Sequence, residues 1–141
     1  MNENTMALLH RLIRSARGVE THLDLQLAGL GLSATRLWAL QRLERSPEPL
    51  SPAELAGCMA FARSNATQLI DNLEAAQLVQ RVPDPQDRRC THLSVTEAGR
   101  KSSAAGLESL DPLIEQIDRA LSPEEREQLN TLLQRLNEAL Q

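Results

Sequence analysis

Apolar residues recur every three or four positions along most of this 141-residue chain, which is the spacing of one face of an α-helix. The first segment is therefore predicted to form one long helix over residues 4–27, which Gly29 and Gly31 end. Leucine occurs 26 times, whereas Trp38 and Phe61 are the only aromatic residues, so the core must be aliphatic. The expected inward face of the first helix comprises Met6, Leu9, Leu12, Ile13, Ala16, Val19, Leu23 and Leu27.

Cap residues mark three further helices. Ser33 is predicted to cap a helix that runs to about Arg45, and Ser51 with Pro52 opens a short one. Another is predicted over residues 62–76, with Ala66, Leu69, Ile70 and Leu73 facing inward. Its opposite face is polar but barely charged, and it carries Arg63, Ser64, Asn65, Thr67, Gln68 and Asn72.

A β-hairpin is predicted after these helices. Residues 78–82 and 91–95 have the pattern of two short strands, and the two prolines and two aspartates of residues 83–87 indicate the turn between them. Arg88 and Arg89 follow that turn. Helix, turn, helix and hairpin in this order are typical of a winged helix-turn-helix.

The last third of the chain is predicted to be helical. Thr96 caps a helix that Pro112 interrupts, because proline lacks the N–H group that would bond back to the preceding turn, and Asp111 is the expected cap of the restart. The final helix begins at Ser122 and Pro123 with a capping box. Its leucines continue to the end of the chain, which indicates a partner helix in this subunit or in another one.

The polar face of residues 62–76 suits a DNA major groove. Base edges are read by side chains that donate and accept hydrogen bonds in a fixed geometry, as Arg63, Asn65 and Gln68 can. Ser64 and Thr67 suit phosphates or bases equally. A hairpin beside such a helix reaches the neighbouring minor groove, whose negative potential favours an inserted arginine.

Two motifs stand in order at the centre of the chain. The first is Leu50-Ser51-Pro52-Ala53-Glu54-Leu55-Ala56, followed by Arg63-Ser64-Asn65-Ala66-Thr67-Gln68-Leu69-Ile70-Asp71-Asn72-Leu73. The second is Asp84-Pro85-Gln86-Asp87-Arg88-Arg89, followed by Leu93-Ser94-Val95-Thr96-Glu97-Ala98-Gly99. They resemble the helix-turn-helix and the wing signature of the MarR family of bacterial transcriptional regulators.

The resemblance implies a mainly α fold with a small β-hairpin wing. It implies an N-terminal dimerisation helix over residues 1–30, a DNA-binding domain over 31–100 and C-terminal dimerisation helices over 101–141. A homodimer would bind a pseudo-palindromic operator with half-sites about 10 base pairs apart. By the same resemblance, a salt bridge from Asp87 orients Arg89 in the minor groove, and Arg88 has a phosphate or structural contact. Such regulators are usually repressors that release DNA in response to a small molecule or an oxidant.

Three positions depart from the family pattern. Ala62 replaces the usual serine or threonine cap of the recognition helix, and Ala60 stands where the turn commonly has glycine. Gln77 occupies the position where a glycine often ends that helix. It therefore implies either a left-handed residue other than glycine or a softer helix end.

A candidate effector pocket is assigned to Leu9, Ile13, Arg17, Trp38 and Arg42 from helix position. The expected effector is a lipophilic or carboxylate compound, and the arginines suit the carboxylate, although they are equally interpreted as solvated helix surface or phosphate contacts. Trp38 is also interpreted, and more simply, as a core residue. Cys58 and Cys90 lack the spacing of a disulfide scaffold or a metal site, so reduced thiols are expected, with redox sensing as an alternative. No cofactor or metal is expected.

The charge distribution bears on the class of protein. Taken over the whole chain, the net charge of −4 argues against nucleic-acid binding. However, residues 61–101 have a net charge of +1 and residues 102–141 one of −5, so the predicted DNA-binding region is compatible with nucleic-acid binding.

No nucleophile and base motif or phosphate-binding glycine loop indicates an enzyme. No apolar run suits a membrane span, so a soluble cytoplasmic protein is expected. An adaptor that has kept this fold but lost DNA binding is the alternative.

Overall fold

The computed structural model of the chain describes residues 3–59 and 63–140. The helices and strands follow in the order α1 (Glu3–Leu27), α2 (Ala34–Arg45), α3 (Pro52–Cys58), α4 (Arg63–Ala75), β1 (Val79–Pro83), β2 (Thr91–Val95), α5 (Glu97–Ser109), α6 (Asp111–Ala120) and α7 (Pro123–Ala139). Backbone contacts divide the chain into two units, Met1–Ser109 and Leu110–Gln141. Within the described ranges, no helix is long and apolar enough to span a bilayer.

Most of the predicted caps are confirmed. The Ser33 side chain accepts a hydrogen bond from the Arg36 backbone N–H at 3.2 Å, which begins α2. α3 and α7 each begin with a capping box and a proline in the first turn, as expected. Asp111 is the exception, because it is the first residue of α6. The cap position belongs to Leu110, which has no capping side chain.

The two strands form an antiparallel hairpin whose register runs from Val79 opposite Val95 to Pro83 opposite Thr91. β2 matches its predicted bounds, whereas β1 begins one residue later than predicted. Leu50 forms an isolated bridge to Leu93 on the other edge of β2. The Leu50 segment between α2 and α3 is thereby joined to the hairpin.

The core of the first unit is aliphatic, as the composition predicts. α2, α3, α4 and the hairpin meet there, and the largest fully buried apolar side chains are Leu27, Leu37, Leu40, Leu55, Ile70, Leu73 and Val79. On α4 the predicted inward positions Ala66, Leu69, Ile70 and Leu73 are all buried. The polar face of that helix therefore points away from the core.

The expected burial of the α1 face is wrong for a single subunit. Of the eight apolar residues predicted to face inward, Leu27 is buried and two are half-buried, whereas Met6, Leu9, Ile13, Ala16 and Val19 are exposed. Trp38 on α2 is 45% exposed, so its interpretation as a core residue is also wrong here. The spacing predicts the helix correctly, but most of this face is exposed in the described residues.

A closed set of three hydrogen bonds joins α2 to α5. The Gln41 amide Nε2 donates to the Ser103 Oγ at 2.6 Å and to the Glu44 carboxylate at 3.1 Å. The Ser103 hydroxyl donates in turn to the same Glu44 oxygen at 2.9 Å. Gln41 and Ser103 are both buried, so this arrangement satisfies polar groups that would otherwise be costly inside the protein.

Gly99 marks the closest approach of α5 to the hairpin. A Cβ atom at this position would lie 2.1 Å from the Leu78 carbonyl oxygen and 2.7 Å from a methyl carbon of Val95. The same Leu78 oxygen accepts a hydrogen bond from the Thr96 backbone N–H at 3.0 Å. Only glycine therefore permits this contact between helix and strand.

Gly99→Ala is expected to lower the free energy of unfolding by about 3 kcal/mol, because the new methyl group must displace backbone atoms. Urea denaturation followed by circular dichroism measures the change. Gly18→Ala is the matched control, since that glycine lies inside α1 with no atom near its Cβ position. The control should be neutral or stabilising by up to about 1 kcal/mol, and equal losses in both variants would contradict the close approach.

Candidate nucleic-acid interface

The exposed face of α4 carries the predicted DNA-reading side chains. Asn65, Thr67 and Gln68 are exposed, in agreement with the sequence prediction. Arg63 and Ser64 lie in the first turn of α4, but their side chains are outside the described part of the structure. The departures noted at Ala60 and Ala62 also lie outside the described residues.

Asn72 adds a contact that the motif did not indicate. The Gln68 amide Nε2 donates a hydrogen bond to the Asn72 Oδ1 at 3.2 Å, one helical turn further along α4. Amide side chains four residues apart are neighbours on a helix surface, so the spacing in the sequence was a usable signal. The two side chains form one hydrogen-bonding group on the polar face.

Arg81 of β1 joins the hairpin to α4. Its guanidinium donates to the Asp71 carboxylate at 2.8 Å and to the Glu74 carboxylate at 2.6 Å. The hydrogen bond to Asp71 and the charge of Glu74 raise the pKa of Arg81 above its ordinary value. This ion pair network, called here the Arg81 clamp, holds the strand that leads to the wing against the helix that carries the polar face. Arg81 lies outside both sequence motifs.

Gln77, which follows the end of α4, has a left-handed backbone conformation, and this is one of the two alternatives predicted for it. Gln77 has a φ of 60°. Its N–H bonds to the Glu74 carbonyl at 2.9 Å, and the N–H of Leu78 bonds to the Leu73 carbonyl at 2.9 Å. This is the Schellman pattern that glycine usually completes, so the chain turns sharply into β1 despite the strain of a side chain.

The wing turn is closed by its own backbone and by two aspartates. The Asp84 N–H bonds to the Cys90 carbonyl, and the Cys90 N–H bonds to the Asp87 carbonyl, both at 2.9 Å. Arg88 and Arg89 are exposed at this turn, where the sequence predicts them. Both are available to a partner molecule.

The expected salt bridge between Asp87 and Arg89 is absent from the described structure. Instead, the Asp87 carboxylate accepts a hydrogen bond from the Arg89 backbone N–H at 3.0 Å. A short acidic side chain readily bonds to the backbone two residues on, whereas ordering a long arginine side chain costs conformational entropy. Asp87 thus fixes the main chain at Arg89 and leaves the guanidinium free of it.

Comparison with known proteins identifies the family. A sequence profile described as MarR family matches residues 30–89, which include α2, α3, α4 and the wing turn through its two arginines. The transcriptional repressor MprA of Escherichia coli is 32% identical over 111 residues. The chain belongs to the MarR family. The match to MprA covers 78% of this chain and 63% of the length of MprA.

Solved structures of other regulators have the same fold. The transcriptional regulator BldR of Sulfolobus solfataricus is 28% identical, and its crystal structure matches with a TM-score of 0.79 over 96% of this chain and 99% of BldR. MepR of S. aureus, solved as a complex with DNA, is 25% identical and matches with a TM-score of 0.81 over the whole of both chains. Members of the MarR family are transcription regulators and not enzymes.

The two cysteines of this MarR-family chain have different surroundings. Both are exposed free thiols. The Arg42 guanidinium donates to the Cys58 sulfur at 3.4 Å, which brings together residues assigned to two different candidate sites. The Cys90 sulfur lies 3.7 Å from an Asp87 carboxylate oxygen. The charge of Asp87 raises the pKa of the Cys90 thiol, which disfavours its reactive thiolate form.

Asp87→Asn is expected to speed the alkylation of Cys90 by iodoacetamide at pH 8, since loss of the charge lowers the thiol pKa and increases the thiolate fraction. Both proteins carry Cys58→Ser, so that Cys90 is the thiol that reacts. Mass spectrometry follows the modified fraction with time. The difference should shrink as the pH rises above the thiol pKa in both proteins, and identical rates at pH 8 would contradict the role of Asp87.

The predicted effector pocket is not enclosed within one subunit. Leu9, Ile13 and Trp38 are 44%, 52% and 45% exposed, respectively. A cleft of about 610 Å³ lies elsewhere, between the end of α2 and the hairpin, and none of the five predicted pocket residues lines it. The pocket therefore stays a prediction. Within the described ranges, no group of three or more histidine, cysteine, aspartate or glutamate side chains is placed to hold a metal ion.

Proposed function

We propose that the protein is a homodimeric transcriptional repressor that binds a pseudo-palindromic operator. In this proposal α4 enters the major groove through Arg63, Ser64, Asn65, Thr67 and Gln68, and the wing reaches the minor groove through Arg89, with Arg88 beside it. The Arg81 clamp is the observation that carries the proposal, because it holds α4 and the hairpin together as one surface. This surface, which consists of the polar face of α4 and the wing with Arg88 and Arg89, is called the reading head.

The relatives support the same function. MprA is a transcriptional repressor, and MepR is bound to DNA in its structure. In this chain the wing arginines are exposed and the acidic residues of α4 are paired with Arg81. The reading head therefore offers a phosphate backbone two free cations and no unpaired carboxylate from residues 65–75 of α4. We further propose a cytoplasmic location, which fits a protein that binds DNA.

Specific binding is tested with fluorescent duplex from the region upstream of the gene and with random duplex, at low salt. The upstream duplex should bind about 1,000-fold more tightly or better. Arg89→Ala should weaken binding to both duplexes and reduce the salt slope by about 1, whereas Asn65→Ala and Gln68→Ala should relax base preference.

Two results would contradict this proposal. Equal affinity for the upstream and random duplexes would favour an adaptor protein that has lost DNA binding. Equal losses on both duplexes for all three variants would leave binding in place but remove the roles assigned to these side chains.

We propose dimerisation through apolar faces that one subunit leaves in water. α1 exposes Met6, Leu9, Ile13 and Val19, and α7 exposes Leu129, Leu132, Leu133 and Leu140. Helices with such stripes normally bury them against a partner, and a two-fold axis pairs the same surface of both subunits. Two reading heads on one axis would match two half-sites about 10 base pairs apart.

Leu133→Lys is expected to convert the dimer to monomer, because it places a charge within the apolar stripe of α7. Sedimentation velocity at micromolar concentration measures the change. Thr131→Lys is the control, since residue 131 lies about half a turn away on the helix and is exposed outside the stripe. A wild-type protein that sediments as a monomer, or equal effects of both lysines, would refute this interface.

We also propose a small lipophilic or carboxylate effector. Leu9, Ile13, Arg17, Trp38 and Arg42 would form its site only when a second subunit covers α1, which is consistent with their exposure in one chain. Arginine binds carboxylates with two parallel hydrogen bonds, so Arg17 and Arg42 each suit such a ligand.

A thermal-shift screen of lipophilic carboxylates against the dimer tests this site. A binding compound should raise the melting temperature of the wild type. Arg17→Gln and Trp38→Ala should reduce the shift, whereas Arg135→Gln, on α7, should not. Equal shifts in all four proteins would place the compound elsewhere, and the absence of any shift across the panel would count against an effector of this class.

A further inference from the structure

Three amide side chains form a strip along the exposed face of α4. Asn65, Gln68 and Asn72 are spaced by three and four residues, so they lie on one side of the helix. Asn65 and Gln68 are exposed and Asn72 is half-buried. This amide strip carries no charge, and its members both donate and accept hydrogen bonds.

The contact between Gln68 and Asn72 limits how the Gln68 amide is presented. One N–H of Gln68 is directed to the Asn72 oxygen at 3.2 Å. The Gln68 carbonyl oxygen and the second N–H remain for a partner. An amide with one acceptor and one donor side by side matches adenine, which offers N6–H and N7 in the major groove.

The Arg81 clamp keeps the neighbouring carboxylates of α4 from accepting hydrogen bonds from the amide strip. Asp71 and Glu74 lie beside the strip on α4, and a free carboxylate there would attract amide donors and repel phosphate. Both carboxylates are bound to Arg81 at 2.8 and 2.6 Å. The Gln68 amide consequently has a neutral neighbour, Asn72, as its hydrogen-bond partner.

We propose that Asn72 is a positioning residue that holds the Gln68 carboxamide for two-point recognition of an adenine in each half-site. This inference rests on the proposed DNA-binding function and names the base that one part of the reading head selects. The contact exists before DNA binds, so the amide rotamer is ordered in advance, and exclusion of water at the interface strengthens the hydrogen bond.

The experiment replaces single atoms of the DNA. Selection from a random duplex library first gives the half-site, and 7-deazaadenine then replaces each adenine in turn. This change removes N7 and so removes one of the two hydrogen bonds. Fluorescence anisotropy of the full-length protein should show one half-site position at which the wild type loses affinity by roughly 3- to 10-fold.

The protein variants then test the two residues. Gln68→Ala should bind native and modified duplexes equally at that position. Asn72→Ala should lose at least half of the sensitivity in free-energy terms, while Asn72→Asp, which keeps an oxygen acceptor, should retain it even though its charge weakens binding to every duplex. Gln80→Ala, an exposed amide on β1 outside the strip, should behave as the wild type. A merely structural role of Asn72 would alter all duplexes alike.

Each alternative outcome is distinct. Equal sensitivity of the wild type and Asn72→Ala would refute the positioning role. A selected duplex that still binds better than random duplex but shows no sensitive adenine would refute adenine recognition and leave the proposed function intact. Failure of the selection to enrich any sequence would overturn both.

Discussion

The close approach of α5 to the start of the hairpin governs the arrangement of the reading head. At Gly99 the helix backbone meets the Leu78 carbonyl with no room for a side chain. Thr96 strengthens the same junction, because its hydroxyl donates to the Gln77 carbonyl at 2.7 Å and accepts from the Gly99 N–H at 3.0 Å. The end of α4, the first strand of the wing and the start of α5 are therefore fixed at one point.

Two polar networks extend this junction through the first unit. The Arg81 clamp ties β1 to α4, and the three hydrogen bonds among Gln41, Glu44 and Ser103 tie α2 to α5. No buried side-chain nitrogen or oxygen lacks a partner in the described residues. These hydrogen bonds and ion pairs fix the helices and the hairpin in one arrangement. Burial of the apolar core supplies most of the stability, which the polar contacts alone do not provide.

Local signals in the sequence predicted the elements well. The serine caps at residues 33, 51 and 122 begin helices where expected, and β2 has its predicted bounds, because caps and turns depend on neighbouring residues alone. The prediction that Asp111 caps α6 is wrong, because Asp111 is itself the first helical residue and the cap position falls on Leu110, whose backbone is already helical. The Asp87 carboxylate accepts a hydrogen bond from the Arg89 backbone N–H, whereas the resemblance implied a salt bridge to the Arg89 side chain.

Burial was less predictable, because periodicity shows which residues share a face but not what covers it. The apolar faces of α1 and α4 have similar spacing, yet the α4 face is buried and most of the α1 face is exposed. The ion pairs of Arg81 likewise depend on which side chains the fold brings together, whereas the contact between Gln68 and Asn72 follows from their spacing on one helix. For the reading head, the sequence therefore indicated the exposed residues and this local contact, and the structure supplied the ion pairs between β1 and α4.

The exposed leucines along α7 affect how strongly gene repression depends on the amount of protein in the cell. Leu132 and Leu140 are 52% and 77% exposed in a single subunit, so an isolated chain carries apolar surface at a cost in free energy. If a second copy covers that surface, chain stability and operator occupancy both depend on the same association equilibrium. Gene repression would then fall more steeply than in proportion when the protein is diluted by growth or lost by proteolysis.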